Sequence, residues 1–212
     1  SGANSFDALL SDPEWEKQPD AQAILTAHRP GPDDVTQLIY TSGTTGEPKG
    51  VMHSANTVMA NIVPYAERLH LGADDVILMA SPMAHQTGFM YGLIMPILLQ
   101  ASAVLQDVWE PGKAIALINA EKASFTMAST PFLTDLARTV TETGVAVPSL
   151  RTFLCAGAPI PGPLVEQARK ALGAKIVSAW GMTENGAVTQ NRLEDDDERS
   201  FSTDGCPPPG VE

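Results

Sequence analysis

The chain has 212 residues and a formal net charge of −12, and 43% of its residues are hydrophobic and 18% charged. This composition is typical of a globular protein, and the length allows one domain with a sizeable core. The 25 acidic residues against 13 basic ones disfavour a nucleic-acid surface or an anionic membrane as partner. A polyphosphate ligand would therefore need local backbone amides, a lysine and a metal ion to hold it.

Short apolar or β-branched runs alternate with helical patterns after residues 1–34, a stretch rich in Asp, Pro and Glu that is predicted to be a linker. Six runs are predicted as strands, at residues 37–40, 75–81, 102–106, 125–129, 152–156 and 175–179. Five helices are predicted at residues 54–70, 88–99, 111–122, 131–140 and 163–172. This alternation predicts an α/β fold, a mostly parallel β-sheet of about six strands flanked by helices on both faces.

Several local signals refine these boundaries. Ser54 and Thr130 are expected to be helix N-caps, and Pro64 is expected to bend or interrupt the first helix. The charge run EDDDER at residues 194–199 is predicted to be a solvated loop.

No segment of the sequence has the pattern of a signal peptide or a membrane span. The most apolar run, residues 89–99, is too short to cross a bilayer and contains Pro96. Cys155 and Cys206 lack the spacing of a metal or redox site. These features predict a soluble protein in a reducing, cytoplasmic setting.

Polar loops that contain Gly or Pro follow five of the predicted strands. Their sequences are TSGTTGEPKG (41–50), SPMAHQTG (81–88), ASTP (128–131), CAGAPIP (155–161) and AWGMTENG (179–186). Ligands of open parallel sheets bind beyond the carboxyl ends of the strands. We therefore expect these loops to converge on one site.

The first of these loops has the chemistry of a phosphate-binding loop. Its glycines expose backbone amides, its Ser and Thr residues add hydroxyl donors, and Lys49 adds a positive charge. It is not the P-loop of nucleotide triphosphatases, because Glu47 and Pro48 separate Gly46 from the lysine. A flexible surface loop is the alternative interpretation.

The segment YTSGTTGEPKG (40–50) closely resembles the phosphate-binding signature of the AMP-forming adenylating enzymes, which include acyl-CoA synthetases, luciferases and peptide-synthetase adenylation domains. CAGAP (155–159), WGMTE (180–184) and GCPPPGVE (205–212) resemble further motifs of that superfamily, in its order. The resemblance extends from about Asp33 onward, so that residues 35–212 are expected to form the nucleotide- and acyl-binding core of an AMP-binding domain. It implies ATP and Mg²⁺ as cofactors, coenzyme A as co-substrate and an acyl adenylate as intermediate.

The resemblance also implies roles for individual residues. The β- and γ-phosphates are expected to be held by Thr41, Ser42, Gly43, Thr44, Thr45, Gly46 and Lys49. The adenine site is expected to be formed by Gly157, Ala158, Pro159, Trp180, Gly181 and Met182. Trp180 stands where the family usually has a tyrosine, and Ser178 where many members have Asn or Gln facing the adenine edge. Thr183 matches the α-phosphate ligand and Glu184 the Mg²⁺ carboxylate, whereas Glu184 read alone would be a surface or helix-capping acid.

His85 requires separate treatment. The segment PMAHQTG (82–88) resembles the place where acyl-CoA ligases have a histidine or aromatic residue beside the substrate carboxylate. His85 is therefore expected to act with Lys49, Thr183 and Glu184 in catalysis, and the alternative is a hydrogen-bonded packing residue. The remaining histidines, His28, His53 and His70, have no such support from sequence.

The resulting hypothesis is an ATP-dependent acid–thiol ligase for a short- to medium-chain or alicyclic carboxylic acid. The segment at residues 81–92 has no acid for the ammonium group of an amino acid, and WGMTENGAVT (180–189) resembles cyclohexanecarboxylate-type CoA ligases. Four residues are expected to line an apolar acyl pocket: Thr87, Phe89, Met90 and Met95. The alternatives are a non-catalytic nucleotide-binding module and a luciferase-like or peptide-synthetase adenylating enzyme.

In the family, the ribose-binding Asp, the hinge and the lysine of a C-terminal lid domain follow the PPPGVE turn at residues 207–212. The chain is therefore expected to be an excised core that folds but is nearly inactive alone.

Overall fold

The structure, a computed structural model, describes Lys17, residues 19–42 and residues 46–211. The strands are β1 Val35–Thr41, β2 Lys49–Ser54, β3 Val76–Met79, β4 Ser102–Leu105, β5 Phe125–Ala128, β6 Thr152–Ala156, β7 Lys175–Met182 and β8 Gly186–Gln190. The α-helices are α1 Ala21–Ala27, α2 Ala55–Arg68, α3 Met95–Leu99, α4 Pro111–Glu121, α5 Thr130–Thr143, α6 Gly162–Leu172 and α7 Asp197–Ser202. A π-helix, Gly88–Ile94, leads directly into α3.

The main sheet has six strands in the order β4-β3-β5-β6-β7-β8. The first five are parallel and β8 is antiparallel to β7. The predicted fold class, a mostly parallel sheet with helices on both faces, is confirmed. Because the five parallel strands point the same way, their carboxyl ends share one edge.

Apolar side chains from both faces of the sheet form the core. On one face, Phe153 and Ile176 pack in a cluster with the buried sides of α4, α5 and α6. On the other, Leu154 and Val177 pack with α2, the π-helix and α3. Successive residues of a strand thus enter opposite layers, as strand geometry requires. No helix in the described part of the chain is long and apolar enough to cross a membrane.

The strand predicted at residues 37–40 exists as β1, but it does not belong to the main sheet. It pairs antiparallel with β2, which the sequence analysis missed, and the two form a separate hairpin. Its apolar run is not buried in the sheet, because Leu38 and Tyr40 are exposed by 52% and 69%. The sixth strand of the main sheet is instead β8, which was not predicted. We call β1, β2 and the loop between them the phosphate hairpin.

Helix α2 begins where its sequence predicts. Ser54 Oγ accepts from Thr57 N at 3.3 Å, and Thr57 Oγ1 accepts from Ser54 N at 3.0 Å, which completes a capping box. The sequence predicts that Pro64 bends or interrupts this helix. The helix is not interrupted there, because Ile62 and Tyr65 on either side are buried and pack into the core.

Other boundaries differ in detail. The helix predicted from residue 88 starts as a π-helix, and a Cβ on Gly88 would lie 2.2 Å from Pro82 O, so only glycine permits this approach to the preceding loop. The N-cap expected at Thr130 is Ser129, one residue earlier. Part of the predicted loop at residues 194–199 is helical, because Asp196 accepts from Arg199 N at 3.0 Å and caps α7. The linker-like residues 1–34 contain α1.

Candidate active site

A cleft of about 480 Å³ opens at the carboxyl-terminal edge of the main sheet. Four of the five predicted loops line it, the loops that follow β3, β5, β6 and β7. They contribute, among others, His85, Ser129, Gly157 and Thr183. Residues more than 90 positions apart thus meet in one cavity, as the placement of polar loops after parallel strands predicts.

The described residues of the phosphate hairpin do not line the cleft. Gly43, Thr44 and Thr45 lie outside the described residues. Among the other phosphate ligands predicted in the hairpin, Thr41 of β1 pairs with Lys49 of β2. Ser42, Gly46 and Lys49 are exposed. Gly46 has φ +113°, a conformation that side chains strongly disfavour. Ser42, Gly46 and Lys49 are thus accessible to an anion from solvent.

Buried polar side chains attach the hairpin to the rest of the site. His53 Nε2 lies 2.7 Å from Thr183 O, and Gln86 Nε2 lies 3.3 Å from the same ring nitrogen. Gln37 Nε2 donates to Gln86 Oε1 at 2.9 Å. A carbonyl oxygen only accepts, so His53 Nε2 carries the proton in its bond to Thr183, and its contact with the Gln86 amide nitrogen is then not a hydrogen bond.

Sequence reasoning missed His53 and gave it no role, yet its side chain is only 2% exposed. The signal that could have found it is the strand alternation in KGVMHS, which places Lys49, Val51 and His53 on one face of β2. A histidine on the same strand face as a predicted phosphate ligand was therefore a candidate for the site.

The turn between β7 and β8, residues 183–185, contains the predicted ligands Thr183 and Glu184. Thr183 is half-buried and lines the cleft, while Glu184 is exposed. Asn61 Nδ2 donates to Asn185 O and to Ala187 O, both at 2.8 Å. We call residues 183–185 the β7–β8 turn; its backbone is thus held from α2.

Tyr91 completes this support. Its hydroxyl donates to Asn61 Oδ1 at 2.6 Å and accepts from Ala187 N at 2.8 Å. Burial raises the pKa of Tyr91, so the hydroxyl keeps its proton. Gly181 lets the two strands come together, because a Cβ there would lie 2.1 Å from Gly186 O.

The predicted adenine residues divide into two groups. Gly157, Trp180, Gly181 and Met182 line the cleft, and the pairing of β6 with β7 brings Gly157 and Trp180 to neighbouring strand ends. Ala158 and Pro159 are exposed beside the cleft but do not line it, and their carbonyl oxygens each lie 3.5 Å from Thr130 Oγ1.

Ser178 does not line the cleft. Its side chain is buried, and its hydroxyl donates to Asp204 Oδ1 at 3.0 Å. The residue therefore links β7 to the segment after α7. Its hydroxyl is therefore already engaged in a hydrogen bond within the protein.

His85 is exposed and lines the cleft. Its Nδ1 accepts from Thr87 N at 3.1 Å, so in the neutral ring the proton lies on Nε2. The side chain is thus oriented by its own loop and has a donor available for a carboxylate or phosphate oxygen.

The apolar wall of the cleft differs from the predicted one. Thr87 lines the cleft as expected, but Met90 and Met95 are fully buried in the core and Phe89 lies outside the lining. The prediction for these three residues is wrong, and Met90 and Met95 pack instead with the apolar side chains of β5, β6 and β7. The wall is formed instead by Tyr91, Met127 and Phe132.

Glu184 is a solitary candidate metal ligand, since the described residues contain no group of three or more His, Cys, Asp or Glu side chains able to hold an ion. An exposed single carboxylate fits Mg²⁺ that is bound mainly through phosphate oxygens and water.

Known proteins resemble this chain over most of its length. Residues 3–212 match the family model described as AMP-binding enzyme. The medium-chain fatty-acid–CoA ligase of Escherichia coli (strain K12) is 34% identical over 193 residues, which cover 91% of this chain and 34% of that protein. The chain spans about a third of this curated relative.

The chain also resembles solved structures over most of its length. The o-succinylbenzoate coenzyme A synthetase MenE from Bacillus subtilis, in complex with ATP and magnesium ion, has a TM-score of 0.75 and 28% identity, with 84% of this chain and 36% of that chain covered. ATP-bound MatB from Rhodopseudomonas palustris has a TM-score of 0.74 and 27% identity, with 85% and 35% covered.

Proposed function

Because the chain belongs to the AMP-binding enzyme family, we propose that the full-length protein is an ATP-dependent, AMP-forming acid–thiol ligase. Residues 35–212 are its nucleotide- and acyl-binding core. The observation that carries the proposal is the cleft itself, in which Thr183, Trp180 and His85 converge, together with the hydrogen bond by which His53 joins the strand of Lys49 to Thr183.

In the first step, a carboxylate oxygen of the acid attacks the α-phosphorus of ATP, and the bond from that phosphorus to the β-phosphate bridging oxygen breaks. Lys49 and the hairpin amides hold the departing pyrophosphate charge, and the Thr183 hydroxyl donates to an α-phosphate oxygen. His85 Nε2–H orients the attacking carboxylate. Mg²⁺, with Glu184 as its protein ligand, would neutralise phosphate charge.

In the second step, the sulfur of the coenzyme A thiolate attacks the acyl carbon of the adenylate. The bond between that carbon and the phosphate oxygen breaks, and AMP leaves with the electron pair. Apolar walls from Tyr91, Met127 and Phe132 hold the acyl chain during both steps and exclude water from the adenylate.

The acid is a monocarboxylate with an uncharged tail, of short to medium chain length or alicyclic. No described residue that lines the cleft is Lys, Arg, Asp or Glu. A second carboxylate or an α-ammonium group would therefore be buried there without a partner, which is costly. A cytoplasmic location belongs to the same proposal and is supported by the two free cysteines, Cys155 and Cys206.

The test is pyrophosphate release by the full-length protein with ATP, Mg²⁺, coenzyme A and a panel of acids. Hexanoate, octanoate and cyclohexanecarboxylate are expected to be turned over, while malonate and amino acids are not. Lys49→Ala serves as the inactive control. ATP binding without pyrophosphate release on any acid would instead indicate a non-catalytic nucleotide-binding protein, and turnover of amino acids alone would indicate a peptide-synthetase type.

A further inference from the structure

We infer that His53 and Asn61 are positioning residues that hold the β7–β8 turn in register with the phosphate hairpin. The inference rests on the proposed function for its catalytic consequence and on hydrogen bonds for its geometry. Neither side chain lines the cleft. Their role is to place Thr183 and Glu184, which are the proposed ligands of the α-phosphate and Mg²⁺.

His53 is held on both sides of its ring. Nε2 donates to Thr183 O at 2.7 Å, and Nδ1 lies 3.2 Å from Thr57 Oγ1, within the capping box of α2. The ring is nearly inaccessible to solvent. It therefore connects the end of β2 and the start of α2 to a residue 130 positions further along the chain.

Asn61 holds the other side of the same turn. Its amide donates to Asn185 O and Ala187 O, and its carbonyl oxygen accepts from Tyr91. Gly186 packs so closely that a Cβ would lie 2.7 Å from the Asn61 side chain. Three backbone carbonyls of the turn and its exit are thus fixed by two side chains from one continuous segment.

That segment begins with the strand of Lys49. Lys49 and His53 lie on the same face of β2, and with about 3.3 Å per residue their Cα atoms are roughly 13 Å apart. The hydrogen bonds therefore set the distance between the lysine that holds pyrophosphate and the threonine that holds the α-phosphate. A misplacement of about 1 Å in such an arrangement costs roughly 100-fold in rate.

The experiment compares His53→Leu and His53→Gln in the full-length protein. Leucine fills the space without a donor, whereas glutamine can donate from nearly the position of the ring Nε2. His53→Leu is expected to lower kcat for pyrophosphate release by about 10- to 100-fold, with KM for the acid within about twofold, and His53→Gln to recover most of that loss. Asn61→Leu is expected to behave like His53→Leu.

A second measurement does not depend on activity. Amide hydrogen exchange of residues 183–187, followed without nucleotide, is expected to accelerate at least tenfold in His53→Leu but not in His53→Gln. Ser124→Ala is the matched control: it removes a buried hydroxyl that donates to Asp75 Oδ1 at 2.6 Å at the opposite edge of the sheet, and it is expected to change neither quantity. His28→Gln, on an exposed histidine, controls for the substitution itself.

The inference is overturned if His53→Leu leaves kcat within twofold of the wild type, or if Ser124→Ala reproduces its effects. If the wild-type protein releases no pyrophosphate on any acid, the proposed function fails, and the exchange measurement alone then decides the inference. If His53→Leu does not fold, Asn61→Ser takes its place and is judged by the same criteria. This substitution removes the amide that donates to Asn185 O and Ala187 O.

Discussion

Replacing Gly181 with alanine tests how tightly β7 and β8 must approach to form the site. A Cβ at this position would lie 2.1 Å from Gly186 O, 2.7 Å from Gly186 C and 2.8 Å from Ala187 Cα. All three neighbours are backbone atoms, so no side chain can rotate away. The strands must separate by about 1 Å to reach the 3.0 Å below which such contacts essentially do not occur.

That displacement has two consequences of known size. Overpacking of this kind costs about 1–3 kcal/mol in the free energy of unfolding. Because the β7–β8 turn moves with β8, the misplacement of Thr183 is expected to lower kcat for adenylation by about 100-fold. The assays are urea unfolding and pyrophosphate release with the full-length protein.

Gly72→Ala is the control, since a Cβ there meets nothing within 4 Å and its φ is not positive. It is expected to leave both quantities unchanged. Wild-type kcat in Gly181→Ala would refute the reasoning, because it would show that the turn tolerates a displacement of about 1 Å or that the strands relax without moving it.

Further predictions concern charge, pH and buried hydrogen bonds. Lys49→Ala and Glu184→Ala, both exposed, are expected to lower kcat by about 100-fold or more while changing the free energy of unfolding by less than about 0.5 kcal/mol, measured by turnover and urea unfolding. Burial raises the pKa of Cys155 from 9.0 to about 11, so the folded chain keeps a proton that the unfolded chain releases. The free energy of unfolding should therefore be unaffected below pH 9 and fall by about 2–3 kcal/mol as pH rises towards 11. This fall should be absent in Cys155→Ala when urea unfolding is measured as a function of pH. Tyr91→Phe should cost about 1–3 kcal/mol in the same assay, because it leaves the side-chain oxygen of Asn61 without its buried donor; an unchanged unfolding midpoint would contradict this.

The parallel strands were predictable because each is a short apolar run bounded by helix-start signals that act locally. Residues 152–155 of β6, for example, are all buried, and the strand reads as a nearly continuous apolar run. The misplacement of β1 has an equally physical cause. Its apolar run resembles a central strand, and sequence alone does not reveal that Leu38 and Tyr40 remain exposed on a hairpin.

The site was predictable only where its residues belong to a motif. Thr183 and Gly157 follow strands and carry recognisable neighbours, so sequence placed them together. His53 was not identifiable in this way, because its role depends on contact with a residue 130 positions away. The apolar wall was mispredicted for a related reason, since Met90 and Met95 pack with residues of β5, β6 and β7 that lie far away in the sequence.

Within the described residues, the phosphate hairpin has no backbone ladder to the main sheet, because β1 and β2 pair only with each other. Its attachment instead relies on polar side chains such as Gln37 and His53, whose hydrogen bonds contribute about 1 kcal/mol each. The hairpin should consequently detach as a separate unit at denaturant concentrations too low to melt the sheet. Under the proposed function, the hairpin that holds the departing pyrophosphate is thus a unit that can open without unfolding the sheet. Pyrophosphate departs, under the same proposal, through this local opening while the adenylate stays in the cleft at the strand ends.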